Sequence, residues 1–156
     1  MQSLSITQWH DWAQEGTAIP MRILISGSSM YPLIRINRDY VTIYPQEERP
    51  ERGDIVLFSD PARNRYVLHR VWKIDNDRIL TWGDNCLRPD GWTTPEMIWG
   101  RAILIERGKR TIKPHRKLGL LLGGSRHRIV KIRYWSQRGY RAIRRRIRRL
   151  TMLIKR

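Results

Sequence analysis

Met21-Arg22-Ile23-Leu24-Ile25 runs directly into Ser26-Gly27-Ser28-Ser29-Met30-Tyr31-Pro32, and the rest of the chain is read outward from this stretch. Pro20 opens a strand-like apolar run, and the Ser-Gly-Ser punctuation stops it. Ser29 therefore sits just after a strand, at a turn or a helix start. Further along come Leu68-His69-Arg70-Val71 and Gly83-Asp84-Asn85-Cys86, with Asp90 beyond. Together these supply a hydroxyl, an imidazole and two carboxylates. A serine hydroxyl is a poor nucleophile at its free pKa; it needs a base to take its proton and a third group to orient that base. Each of these roles has a candidate here.

Around this stretch the pattern is that of strands. Runs at 39–44, 54–58, 66–74, 78–82 and 98–106 are separated by Gly, Pro, Asn and Asp clusters, which predicts a mainly β, mostly antiparallel domain. Asp60-Pro61-Ala62-Arg63-Asn64 links two of the strands. Asp75-Asn76-Asp77 reads as a tight hairpin, because Asn and Asp tolerate turn geometry. Ahead of this domain, residues 3–15 fit a short helix: Ile6, Trp9 and Trp12 recur at threefold spacing, and Ser5 or Thr7 can cap it.

Charge divides the chain. All 14 Asp and Glu fall within residues 1–106, beside 12 of the 31 Lys and Arg, while the other 19 bases lie in residues 107–156 with no acid. The organisation read from this is an N-terminal helical segment over 1–19, a near-neutral β domain over 20–106 and a basic tail over 107–156. The domain is large enough to bury a modest core. In the tail, Tyr140, Ile143, Ile147, Leu150 and Ile154 alternate spacings of three and four. Arg141, Arg144, Arg145, Arg148 and Arg149 lie mainly off that stripe, so the expectation is a basic amphipathic helix.

The single cysteine, Cys86, excludes an internal disulfide framework and fits a reducing compartment. The first turns, with Trp9, His10, Asp11 and Glu15, lack the basic start and apolar run of a secretory signal. Leu118-Gly119-Leu120-Leu121-Leu122 is far shorter than the roughly 20 residues of a membrane-spanning helix. The expected location is cytoplasmic, with any bilayer contact peripheral at the inner face. His10, His115 and His127 have no ligand-like spacing, so no metal or cofactor is expected and these imidazoles read as solvated. Cys86 reads as a small, partly buried filler. Trp82, Trp92 and Trp99 read as core, with a peptide groove as the alternative. Lys73 falls on the same strand face as His69 but about 13 Å along it, too far to act in its place.

The ordered motifs resemble the superfamily of serine peptidases that contains type I signal peptidases and self-cleaving repressors of the LexA kind. The likeness spans roughly residues 20–106. Ser29-Met30-Tyr31-Pro32 resembles the Ser-Met-x-Pro nucleophile box, Gly53-Asp54-Ile55-Val56 the strand that follows, and His69-Arg70-Val71 the base segment. Gly83-Asp84-Asn85 resembles the Gly-Asp-Asn box and Gly100-Arg101-Ala102 the closing strand. Most bacterial signal peptidases and the repressors place a lysine at the base position, so His69 puts the likeness with the histidine branch. There a second acid follows the Gly-Asp-Asn box, and Asp90 matches it. The resemblance implies a LexA-like antiparallel β fold with Ser29 as nucleophile, His69 as general base, Asp90 as its orienter and Asp84 in support. It also implies a peptide substrate with small residues before the cut, as in Ala-x-Ala.

The chemistry agrees with that assignment. A histidine with an ordinary pKa near ~6.5 is largely neutral at pH 7 and can accept the serine proton, and a carboxylate on its far nitrogen stabilises the imidazolium. The Ser29 backbone N–H would meet the oxyanion. One departure stands out: signal peptidases usually have Ser-x-Ser-Met, whereas Gly27 precedes this nucleophile by two residues, a spacing closer to the repressors. The second oxyanion donor stays open between Ser28, Ser26 and backbone. Read alone, Asp84 could equally brace a turn.

The expected function is a serine endopeptidase that cleaves a leader or signal-like segment from a partner protein. Two alternatives stand beside it: a non-catalytic basic module that keeps the peptidase fold, and repressor-like self-cleavage. For the tail, an anionic membrane surface is the preferred target, because the arginines can pair with headgroups. Nucleic acid is the competing polyanion, although no helix-turn-helix pattern precedes residue 20, where such repressors carry theirs. A solvated helix docking on a partner protein is the third reading.

Overall fold

The computed structural model describes residues 5–16, 19–117, 119–121, 123–124, 127–132 and 134. It is mainly β, with eight antiparallel strands in one curled sheet. Helix α1 (Ile6–Gln14) starts at Ser5, whose hydroxyl accepts from the Gln8 N–H while the Gln8 side chain accepts from the Ser5 N–H. This reciprocal cap satisfies two donors that the first turn leaves free. Only Trp9 of the helix is buried, its indole N–H donating to the Ile19 carbonyl at 2.7 Å, while Trp12 stays exposed.

The strands are β1 (Met21–Leu24), β2 (Tyr40–Pro45), β3 (Ile55–Asp60), β4 (Arg65–Asp75), β5 (Arg78–Trp82), β6 (Gly91–Thr93), β7 (Ile98–Arg107) and β8 (Arg110–Ile112). Their order across the sheet is β1-β2-β7-β3-β4-β5-β6, with β8 added on β7. Six follow the runs read from the sequence. The three-residue strands β6 and β8 do not, and β8 carries the sheet past the change in composition at Gly108. The link between β3 and β4 forms a 3-10 turn, Pro61–Arg63, closed by Asn64 in the left-handed region. The hairpin between β4 and β5 turns on Asn76, also at positive φ, and Asp75 pairs with Arg78 across it.

Strand β3 is the centre of the core. Successive side chains on a strand point to opposite faces, and Ile55, Val56, Leu57 and Phe58 are all buried. Ile55 and Leu57 join Trp9, Met30, Ile34, Val41, Ile43 and Ile105 on one side. Val56 and Phe58 join Val67, Val71, Ile79 and Ile98 on the other. Gly100 of β7 lets the first cluster close, because a Cβ there would stand 2.6 Å from Ile43 Cγ2 and 2.9 Å from Trp9.

Beyond β8, the described residues 116–117, 119–121, 123–124, 127–132 and 134 are helical. The amphipathic helix expected over 140–154 lies outside the described residues. No helix among the described residues is long and apolar enough to cross a membrane.

Candidate active site

The turn after β1 is built from its neighbours. Met30 and Ile34 are buried, the Tyr31 N–H donates to the Ser28 carbonyl at 3.1 Å, and the Ile34 N–H donates to the Met30 carbonyl at 3.0 Å. Anchoring these apolar side chains leaves Ser26, Gly27 and Ser28 exposed and Ser29 half-buried. Asn85 ties the turn to the Gly83-Asp84-Asn85 loop: its backbone N–H donates to the Ser29 carbonyl at 2.6 Å and its amide to the Ser28 carbonyl at 3.2 Å.

His69 lies opposite Val56 in the β3–β4 ladder, so it points to the Val56 side of the sheet, and it is buried. Its Nδ1 is 2.6 Å from Asp90 Oδ2. The Thr81 hydroxyl donates to the same oxygen at 2.9 Å, and the Asp90 N–H donates to the Thr81 carbonyl at 3.0 Å. Strand β5 thus fixes the carboxylate, and the carboxylate fixes the ring. Ser26, Ser28, Ser29, His69, Cys86 and Asp90 all line one cleft of about 820 Å³.

Gly83 closes the inner wall. A Cβ at this position would stand 2.7 Å from His69 Nε2, 2.8 Å from Cys86 Sγ and 2.9 Å from the Ser29 carbonyl oxygen. Those three atoms therefore converge on the one place in the turn where the chain carries no side chain. Cys86 is accordingly a neighbour of the candidate base and not only a filler.

The imidazole differs from the expected neutral base. Burial disfavours its charged form, but the hydrogen bond that it donates to Asp90, contact with Cys86 and the Asp90 charge outweigh this and raise its pKa to about 9. At pH 7 the ring is mostly protonated, and the proton must leave before it can act as a base.

Asp84 is not part of the His69 pair. Its carboxylate accepts from buried Arg70, Nε to Oδ1 at 2.9 Å and Nη2 to Oδ2 at 2.7 Å, and Arg70 Nη1 donates to the Gly53 carbonyl at 2.9 Å. Gly119 packs directly against the guanidinium, leaving no room for a Cβ. Asp84 holds the turn that Gly83 and Asn85 use, and reaches the site through them.

Two other histidines are packed against tryptophans, one buried and one half-buried, where free solvation was expected. His127 is buried, its Nε2 3.0 Å from the Gly83 carbonyl oxygen and its ring stacked on Trp82 at 3.7 Å and edge-on to Trp72. Burial holds its pKa below the ordinary value. His10 stacks on Trp99 at 3.9 Å. Trp82, Trp92 and Trp99 lie outside the Ser29 cleft, and Trp92 is exposed beneath Arg78 and Lys73. A bulge between Val71 and Lys73 interrupts the β4 alternation that the sequence spacing assumed. Sequence reading missed Thr81, Asn85 and Arg70 as site-building residues. The offset between His69 and Arg70 was the only available signal for Arg70, since neighbours on a strand face opposite sides. Among the described residues no three His, Cys, Asp or Glu side chains are grouped as metal ligands.

Comparison with known proteins returns no match to any protein-family model and none to any curated protein.

Proposed function

We propose that the chain is a serine endopeptidase of the signal-peptidase type, on the LexA-like β domain that its motifs resemble, and that it removes a leader or signal-like segment from a partner protein. The observation that carries this reading is the 2.6 Å His69–Asp90 contact in a cleft that Ser29 also lines. Once deprotonated, His69 Nε2 takes the Ser29 proton as Oγ bonds to the scissile carbonyl carbon, and Asp90 stabilises the imidazolium. The proton then passes to the leaving amine as the peptide bond breaks. Water, activated by the same imidazole, hydrolyses the acyl-serine and regenerates the hydroxyl. The Ser29 N–H would meet the oxyanion, with Ser28, Ser26 or a second backbone N–H as its helper. Small residues before the cut follow from the family likeness. The basic tail serves as a peripheral anchor on anionic lipid, with nucleic acid as the rival polyanion.

The test is mass-spectrometric mapping of cuts in a diverse peptide library with wild type, Ser29→Ala, His69→Ala and Cys86→Ala. Cuts lost in the first two variants and kept in the third support the proposal. Because Cys86 shares the imidazole, cuts kept in Ser29→Ala and lost in Cys86→Ala would assign the attack to the thiol. No Ser29-dependent cut, in the presence of anionic vesicles as well, would favour the non-catalytic basic module. A Ser29-dependent cut confined to the chain itself would mark repressor-like self-cleavage.

A further inference from the structure

On the way from the Ser29 turn to β2, residues 35–39 meet the end of β7 and the β7–β8 hairpin. Between them lies a cavity of about 640 Å³, within the size range of small-ligand sites. Arg35, Arg38, Arg107, Lys109 and Arg110 line it, with Thr111 and Ile112 completing the wall.

Behind this wall sits one buried acid, Asp39, and it is already engaged. Arg107 donates to both its oxygens, at 3.1 Å to Oδ1 and 2.7 Å to Oδ2, and also to the Leu33 carbonyl at 2.8 Å. The Arg35 backbone N–H donates to Oδ2 at 2.9 Å. Burial pushes the carboxyl up, but these bonds outweigh it and hold it below its usual range, so it stays ionised and committed to Arg107. Glu106, the next acid along β7, is taken by Arg22 at 2.5 Å. Arg35, Arg38, Lys109 and Arg110 form no side-chain ion pair among the described residues, and Arg35 Nε is buried without a hydrogen-bond partner.

Four cations crowd one cavity, with only Arg35 sharing the Asp39 charge that Arg107 already holds; they repel each other, and a buried guanidinium N–H without an acceptor is unfavourable. A multiply charged anion relieves both. The planar guanidinium fork matches phosphate oxygens two at a time, and Thr111 adds a hydroxyl. We propose that this cavity binds a phosphate-bearing group of multiple charge, carried either by a small soluble molecule or by a lipid headgroup. This inference is independent of the peptidase reading.

The test uses the full chain at physiological ionic strength. The cavity variant Arg35→Gln/Arg38→Gln is compared with the surface variant Arg49→Gln/Arg78→Gln, which loses the same charge at exposed positions outside both the cavity and the tail. Pyrophosphate is titrated in one arm, with amide NMR shifts as the readout, and phosphatidylglycerol vesicles are titrated in the other. The expected result is saturable shifts at Arg35, Arg38, Lys109 and Thr111, with affinity about tenfold weaker in the cavity variant and nearly unchanged in the surface variant. The same contrast seen only with vesicles assigns the group to a lipid headgroup and upholds the proposal. Equal weakening in both variants, or in neither, in both arms would overturn it. Neither mutated guanidinium holds an ion pair among the described residues, and Arg38→Gln alone, at an exposed position, repeats the comparison if the double variant loses its unfolding midpoint.

Discussion

The proton on His69 sits between two opposed forces, burial that expels it and Asp90 that retains it, and the second prevails with a pKa of about 9. If the ring is the base, kcat/KM should rise with pH until that value is passed, as a pH–rate profile would show. Asp90→Asn should move the midpoint down and slow cleavage by about 10⁴-fold, since the ring loses both its tautomer and its counter-charge. Stability should run the other way. The retained proton stabilises the fold fully below the unfolded imidazole's ordinary 6.5 and ceases to do so as pH rises through about 9. That contribution is about 3 kcal/mol. Urea denaturation across this window should show the decline, and His69→Gln should flatten it. That Ser29, His69 and Asp90 come to one cleft was legible from the order of their segments along the chain. Thr81 was not, since nothing local marks a strand threonine as a carboxylate's partner. His127 was misread because its burial comes from Trp72 and Trp82, which reach it through the fold and not through sequence neighbours.

The turn Gly83-Asp84-Asn85 does the work of an element, joining the Ser29 turn to β4 and β5. Gly83→Ala should cost most of the activity, because the added methyl needs the space between His69 Nε2 and the Ser29 carbonyl. The expected signature is a fall in kcat with an unfolding midpoint that stays cooperative. Arg70→Met should instead strike the fold: it strands a buried carboxylate, and breaking such a pair costs about 3–5 kcal/mol. Chemical denaturation should register the loss, and Arg70→Met/Asp84→Leu, which removes both charges, should recover much of it. Six strands could be read from apolar runs bounded by turn residues. Strands β6 and β8 are too short to show a period and exist because β5 and β7 offer them unpaired edges. The β4 bulge had no sequence signature, so alternation past Val71 could not be followed.

Across the whole molecule, charge is as uneven as the sequence suggested, with an almost balanced front and 19 bases behind residue 106. Full-length chain should sediment with anionic vesicles at low ionic strength and be released as salt rises, because counterions compete for the same attraction. Equal retention by neutral lipid would contradict the electrostatic account. This asymmetry was legible from composition alone, whereas the docking of the helical residues against the sheet was not. His127 reaches the Gly83 carbonyl and Gly119 lies on the Arg70 guanidinium, contacts that only the folded arrangement creates. Arg70 is thereby held by three segments far apart in the chain, at Gly53, Asp84 and Gly119. For the protein's history this means coordinated inheritance. A lineage that gives up the arginine must shed the charge at position 84 in the same step, and only then is position 119 free to acquire a side chain, so the three positions should drift together or stay still.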